Sequence, residues 1–263
     1  MIEIKSANEG YEDRYCAFVD ILGFRQLISE IAEGRIPPAH LRIVLNHVHN
    51  PPDIQPSHWR SLPDFRSQSI SDAVALSTAV RPEGIESLFL NISNLAVRLL
   101  PYGYFIRGSI VKGKLYHRDN TVFGEALVRA YDFESKIANF PRVIISRDVE
   151  LDVELAERAG YHGGMQSLRK FVLQADDGPF YLNVLQPSYE QLISECVDNQ
   201  SKPAAEIQPC PTQSLLSVIQ DELQDRFDAS VDDPNIFKKL QWFASYWNRF
   251  TFPGVAKIRG PGL

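Results

Sequence analysis

The chain has 263 residues, 44% of them hydrophobic and 23% charged, with a formal net charge of −6. This length and balance allow one large globular domain, or one domain with an appendage. The acidic balance argues against a dedicated DNA or RNA binder, which needs a basic footprint to displace counterions.

No apolar run approaches the roughly 18 residues of a membrane-spanning helix, and the start, MIEIKSANEGYEDRY, lacks the basic-then-apolar pattern of a signal peptide. Cys16, Cys196 and Cys210 are odd in number and widely spaced, with no CxxC pair. Neither a zinc site nor a disulfide framework is expected, and a reducing cytoplasm is.

Residues 14–19 (RYCAFV) read as a short buried strand ending at Asp20. After Gly23, FRQLISEIAEG has helical spacing, and 38–48 continue as a second helix. Asn50 to Pro63 carries four prolines and reads as a loop. Residues 65–71 and 73–80 form two strands that meet at Ser71-Asp72. Ile85, Leu88, Phe89, Ile92, Leu95, Ala96 and Leu99 then recur at helical spacing, with Pro82 at the start.

A strand over 103–112, a polar turn over 113–121 and a helix from about Gly124 follow, the helix burying Ala126, Leu127, Ala130, Phe133 and Ile137. Residues 142–146 read as a strand and 149–158 as a helix. Residues 171–174 and 180–185 read as a hairpin around Asp176-Asp177-Gly178. The polar stretch 198–213 reads as a linker. Helices are expected at 214–227 and 234–249, the second carrying Phe237, Leu240, Trp242, Phe243, Tyr246 and Trp247. The element order implies an α+β domain over 1–197, followed by a C-terminal helical extension over 214–263 that packs on the domain or on a partner subunit.

Two acidic positions stand out. In FVDILGF an apolar strand delivers Asp20 at its end, and a glycine turn into a helix follows; N–H groups in such a turn suit phosphate oxygens. In QSISDAV, Asp72 sits at a hairpin tip. Taken singly, Asp20 is equally a helix cap and Asp72 a turn former. If the first strand lies beside the hairpin, the two carboxylates face each other, which is how proteins hold Mg²⁺ against substrate phosphates.

FVDILGF resembles the strand-to-helix motif of class III nucleotide cyclases, and Gln68 with Ile70-Ser71-Asp72 resembles their hairpin. Arg107-Gly108-Ser109-Ile110 with Gly113 resembles their later strand, and Phe123-Gly124 with Ala130 and Glu134-Ser135 resembles the helix that follows it. These matches fall in family order across roughly residues 14–146. Together with PRVIIS, the set looks closest to the bacterial anti-phage (Pycsar) cyclases that make cyclic pyrimidine mononucleotides.

The resemblance implies a ferredoxin-like βαββαβ cyclase domain with a C-terminal helical extension. It also implies a cytoplasmic homodimer that converts UTP or CTP to the 3′,5′-cyclic nucleotide and pyrophosphate. Two divalent ions, Mg²⁺ or Mn²⁺, would serve it, and a separate effector protein would answer the product. Asp20 and Asp72 fall on the metal-binding positions, with the backbone of Ile21 beside them. Leu22, Gly23, Phe24 and Arg25 fall on the phosphate-cradling turn, Lys170 on a further phosphate contact, and Gln68 and Thr121 on the base-selecting positions.

The chain departs from the family pattern on one helix. Val128 stands where the family has a transition-state Asn, and Asp132 where it has an Arg. Arg129 is the candidate substitute, although Glu125 and Asp132 are at helical pairing distance from it. These departures keep open a non-catalytic nucleotide-binding module, and a purine cyclase is a further alternative. Gln68 is neutral and both donates and accepts, which suits either pyrimidine. Tyr116 and His117 are weaker candidates for lining a base pocket.

Overall fold

In the computed structural model, which describes residues 10–50, 64–161, 167–200 and 210–263, Arg14 to Val19 are buried on both sides of a sheet. The apolar run RYCAFV is unbroken for that reason: a strand covered on two faces has no solvent side to alternate with. It belongs to β1 (Tyr11–Ile21). Then come α1 (Phe24–Ala32), α2 (Pro38–His49), β2 (Arg66–Ile70), β3 (Ala73–Ala79), α3 (Pro82–Leu99) and β4 (Ile106–Arg118). The second part holds β5 (Thr121–Phe123), α4 (Glu125–Ile137), β6 (Val143–Ile145), α5 (Arg147–Arg158), β7 (Val172–Gln174), β8 (Phe180–Leu182), α6 (Gln186–Gln200), α7 (Pro211–Ala229) and α8 (Pro234–Asn248).

All eight strands join one sheet in the order β2-β3-β1-β4-β6-β8-β7, with β5 paired to β4. The first four are mutually antiparallel. Helices α1 and α2 connect β1 to β2, and α3 connects β3 to β4, so this half is a ferredoxin-like βαββαβ unit inside a larger α+β sheet. A parallel pairing of β4 with β6 carries the sheet on to the β7–β8 hairpin.

The two faces of the sheet are covered unequally. Tyr15, Ala17, Val19 and Ile21 point into the main core with Val74, Leu76, Ile110 and the buried stripe of α3. Cys16 and Phe18 point the other way, where a small second cluster forms with Ala73, Val111, Leu115 and Ala126 and Ala130 of α4. Helix α4 can start there because Gly124 has a φ of 142°, and a Cβ at that point would sit 2.6 Å from the Lys114 carbonyl oxygen.

The sheet departs from the sequence-based expectation after Gly113. Instead of a polar turn over 113–121, β4 runs on to Arg118 and folds back at Asp119-Asn120, whose φ values of 48° and 59° make the two-residue turn. Leu115 and His117 point inward from this segment. His117 is buried, with Nδ1 against Ser77 Oγ at 2.8 Å. Burial, helped by Arg14 and Arg66, pushes it down to about 4. It is therefore a neutral interior group and does not line a base pocket.

Helix α6 was not expected, and α7 begins at Pro211, inside the stretch read as a linker; residues 201–209 of that stretch lie outside the described residues, as do residues 51–63 of the proline-rich loop. Both C-terminal helices pack on the domain. Leu216, Ile219, Leu223 and Phe227 of α7 and Leu240, Phe243, Tyr246 and Trp247 of α8 belong to the main core. Among the described residues no helix is long and apolar enough to cross a membrane.

One side chain ties this extension to the sheet. Tyr246 is fully buried; its hydroxyl accepts from the Leu185 N–H at 3.0 Å and donates to Asn183 Oδ1 at 2.6 Å. Removing it leaves two buried polar groups without a partner. Tyr246→Phe is expected to cost about 1–3 kcal/mol, read as a lower urea midpoint with an unchanged slope. An unaltered midpoint would mean that these bonds contribute nothing to holding the extension.

Candidate active site

The carboxylates that the sequence singles out are brought together by strand pairing. In the β1–β3 register Asp20 stands opposite Ala73, so Asp72, one residue earlier in the tight β2–β3 turn, lies beside it. The two carboxylates are near enough for the charge of Asp72 to act on Asp20. Across β1 on the other side stands Arg107, with Nη2 at 3.3 Å from Asp20 Oδ2. Arg107 Nε lies 2.6 Å from Oε1 of Glu134, a buried residue of α4. That contact is an ion pair without hydrogen-bond alignment, and both atoms stay buried without a hydrogen-bond partner.

These surroundings set the charge. Burial pushes Asp20 up to about 7, the neighbouring Asp72 pushes the same way, and Arg107 opposes them. Burial also raises Glu134, against the pull of Arg107. A desolvated carboxylic acid beside a second carboxylate is a site where a cation can take the proton's place.

The turn itself is held from behind. Ser71 has a positive φ of 59°, which L residues adopt at a cost. His49 Nε2, at the end of α2, donates to the Ser71 carbonyl at 2.8 Å and braces the tip that carries Asp72.

Beyond Asp20 the chain turns at Leu22-Gly23 into α1. Gly23 has a φ of 85° and caps the helix without a side-chain bond, so it is needed for its backbone angle; a Cβ there would meet nothing. Leu22 N–H is taken by the Phe105 carbonyl and Gly23 O accepts from Gln26 and Leu27 N–H. The N–H groups of Phe24 and Arg25, in the first turn, have no intrahelical acceptor by geometry. Ile21 puts its side chain into the main core and leaves only its backbone to the site.

The remaining sequence candidates lie elsewhere in the single chain. Gln68 is on β2, opposite Ala75, on the same sheet face as Asp20; its amide donates to the Ser69 carbonyl. Thr121 is exposed and pairs with Arg118, at the far end of β4 from Arg107, about 35 Å of extended strand away. Arg129 donates to the Lys112 carbonyl at 2.7 Å and contacts Asp148 at 3.4 Å, while Asp132 pairs with Lys136. Lys170 precedes β7, at the opposite edge of the sheet from β2, with Glu190 at 3.4 Å. Val128 is 63% exposed.

Arg107, Glu134 and His49 are the site residues that sequence reasoning left out. Arg107 and Glu134 stood inside the quoted motifs but were given no role; no sequence signal points to His49.

Among the described residues no cluster of three or more His, Cys, Asp or Glu forms a metal cage. The donor set is two carboxylates with backbone oxygens nearby. That fits a hard divalent cation that shares its coordination with a substrate's phosphates and does not fit a closed structural site.

No protein-family profile and no curated protein sequence matches the chain. Among solved structures it is similar to an adenylate/guanylate cyclase/hydrolase from Silicibacter pomeroyi, at 13% identity and a TM-score of 0.35, over 65% of this chain and 95% of that one. It is similar to the guanylyl cyclase Cya2 at 13% identity and 0.35, over 66% and 93%.

The raised Asp20 has a measurable consequence in metal-free buffer. Between the ordinary carboxylate value near 4 and about 7, folded Asp20 keeps a proton that the unfolded chain has lost, so its contribution to stability falls as pH rises through that window. Asp20→Asn removes this penalty. The variant should melt above the wild type at about pH 8, with the gain shrinking towards pH 4. A gain that is absent at the higher pH would contradict the geometry.

Proposed function

We propose that the chain is a class III nucleotide cyclase acting on a pyrimidine nucleoside triphosphate. The observation that carries this reading is the pairing of Asp20 and Asp72 at the ends of adjacent strands, beside the glycine turn into α1. The ferredoxin-like half of the sheet and the sequence motifs support it. The reaction would be attack of the ribose 3′-hydroxyl on the α-phosphorus, with pyrophosphate leaving.

Asp20 and Asp72, with the Ile21 backbone, would hold two Mg²⁺ or Mn²⁺ ions. When bound, these supply charge neutralisation at the triphosphate and acidify the attacking hydroxyl. The free N–H groups at the start of α1 would receive phosphate oxygens. Arg107, held by Glu134, orients the Asp20 carboxylate.

The same reading includes a homodimer. Two observations support it. The α4 side of the sheet leaves Phe123, Val128 and Tyr131 more than half exposed. Also, Asp20-Asp72 lies at the Arg107 end of β4, Thr121 at the Arg118 end and Arg129 against its middle at Lys112, so a second copy laid antiparallel over this face would bring the Thr121 end of each chain to the carboxylate end of its partner. Gln68 and Thr121 would read the base and Lys170 would add a phosphate contact. A separate cyclic-nucleotide-responsive effector in anti-phage defence would take the product.

One observation favours a second reading, a cyclase-like module that binds nucleotide without turnover. Val128 and Asp132 replace the family's Asn and Arg, and Arg129 is already engaged by Lys112 and Asp148.

Purified protein incubated with Mn²⁺ and each of the four nucleoside triphosphates, with products separated by chromatography, tests the proposal. UTP or CTP should give the cyclic monophosphate and pyrophosphate, and Asp72→Asn should lower the rate at least about a hundredfold, the scale of losing one charge-stabilising group. A base that leaves a polar pocket group unpaired loses about 1–3 kcal/mol, roughly ten- to a hundredfold. Faster cyclisation of ATP or GTP would overturn the pyrimidine assignment. Nucleotide binding with no product from any of the four would favour the non-catalytic module.

A further inference from the structure

The joint between α6 and α7 brings together two thiols that the site described above does not use. Cys196 lies on α6, and Cys210 is the residue before the first turn of α7. Both are free and both are only partly buried, unlike Cys16, which is fully enclosed.

Three contacts fix their approach. Glu195, next to Cys196, accepts from the Thr212 hydroxyl at 2.7 Å and from the Thr212 N–H at 3.2 Å, and so caps α7 from the neighbouring helix. Asn199, three residues on from Cys196, donates from Nδ2 to Cys210 Sγ at 3.3 Å. Helix α6 packs on α7, and Cys210 is near enough to act electrostatically on the Cys196 thiol. Cys196 is thus flanked on its own helix by two side chains that grip the start of α7. Among the described residues no third His, Cys, Asp or Glu completes a metal site here, so a dithiol is the chemistry that the pair offers.

We infer that Cys196 and Cys210 are a redox modification site, a dithiol that closes reversibly to a disulfide by exchange with a low-molecular-weight disulfide. This differs from what the odd number and wide spacing of the cysteines suggest in the sequence, and it is independent of the proposed cyclase activity.

The exchange balances in two steps. The thiolate of Cys210, an acceptor for the Asn199 amide, attacks the small disulfide, forms a mixed disulfide and releases one small thiol. The Cys196 thiol loses its proton, attacks the Cys210 sulfur and releases the second. Two protein thiols are oxidised and one small disulfide is reduced to two thiols. Burial, with Cys210 and Glu195 adding to it, raises Cys196 above the usual thiol value, which makes it the slower partner and suits it to the second, intramolecular step. The bond would tie α6 to the helix that reaches Gly103 through Arg226, whose Nη2 donates to the Tyr102 carbonyl at 3.2 Å.

The experiment exposes the folded full-length chain to oxidised glutathione. Intact mass, thiol alkylation and peptide mapping follow. The expected result is a loss of about 2 Da with no lasting glutathione adduct, a cross-linked pair of peptides containing Cys196 and Cys210, and Cys16 still a thiol. Return to reduced glutathione should restore both thiols. In Cys196→Ser the second step is lost, so Cys210 should accumulate the glutathione adduct. The closed form should melt about 5–10 °C higher. Stable glutathione adducts on the wild-type chain without the internal bond, or cross-links only between chains, would overturn the inference.

Discussion

Two carboxylates that would repel each other in water are held side by side by backbone pairing. The β1–β3 register sets Asp20 against Ala73, and the β2–β3 turn leaves Asp72 no place to go but alongside. The cost is visible in Asp20, which burial and its neighbour push up to about 7. Perturbed carboxylates of this kind gather at functional sites. Around them Arg107 supplies a partial counter-charge, Glu134 steadies Arg107 from α4, and His49 steadies the strained turn from α2. Each of these supports comes from a different element, so the site depends on the whole ferredoxin-like half being in place.

The unequal covering of the sheet follows from the same design. One face is closed by α2, α3, α5 and the C-terminal helices into a continuous core. The other carries α4 alone, over a cluster of small and apolar residues around Gly113 and Ala126. Asp20, Arg107 and Gln68 open onto this thinly covered face. The extension works from the far side: Tyr246 and the aromatic residues of α8 close the β7–β8 end, which would otherwise expose Tyr181 and Leu185.

Much of this was legible in the sequence where signals are local. The strand of FVD, the turn at Gly23, the hairpin at Ser71-Asp72 and the stripe of α3 follow from periodicity and turn chemistry, and they suffice to place the carboxylate pair. What was not legible depends on contacts distant in sequence. Glu134 looks like one more charge on an amphipathic helix until α4 is laid across β4 and buries it against Arg107. Residues 113–118 look like a polar turn because their inward positions hold only Gly113, Leu115 and His117, and the polar His117 is acceptable inside because Ser77 receives it. Helix α6 has few apolar residues, and only its packing on α3 and α7 makes it a helix worth keeping. The proximity of Cys196 and Cys210 is likewise a product of that packing.

The central claim is that the Asp20–Asp72 pair is built for a divalent cation. Titrating Mn²⁺ into metal-free protein, with electron paramagnetic resonance reading the free ion, tests it without reference to any substrate. The wild type should take up Mn²⁺ at about pH 8 and bind it more weakly as pH falls below about 7, where Asp20 regains its proton, while Asp72→Asn should bind at least about tenfold more weakly. Equal binding by the wild type and Asp72→Asn, or no binding by the wild type, would contradict the account.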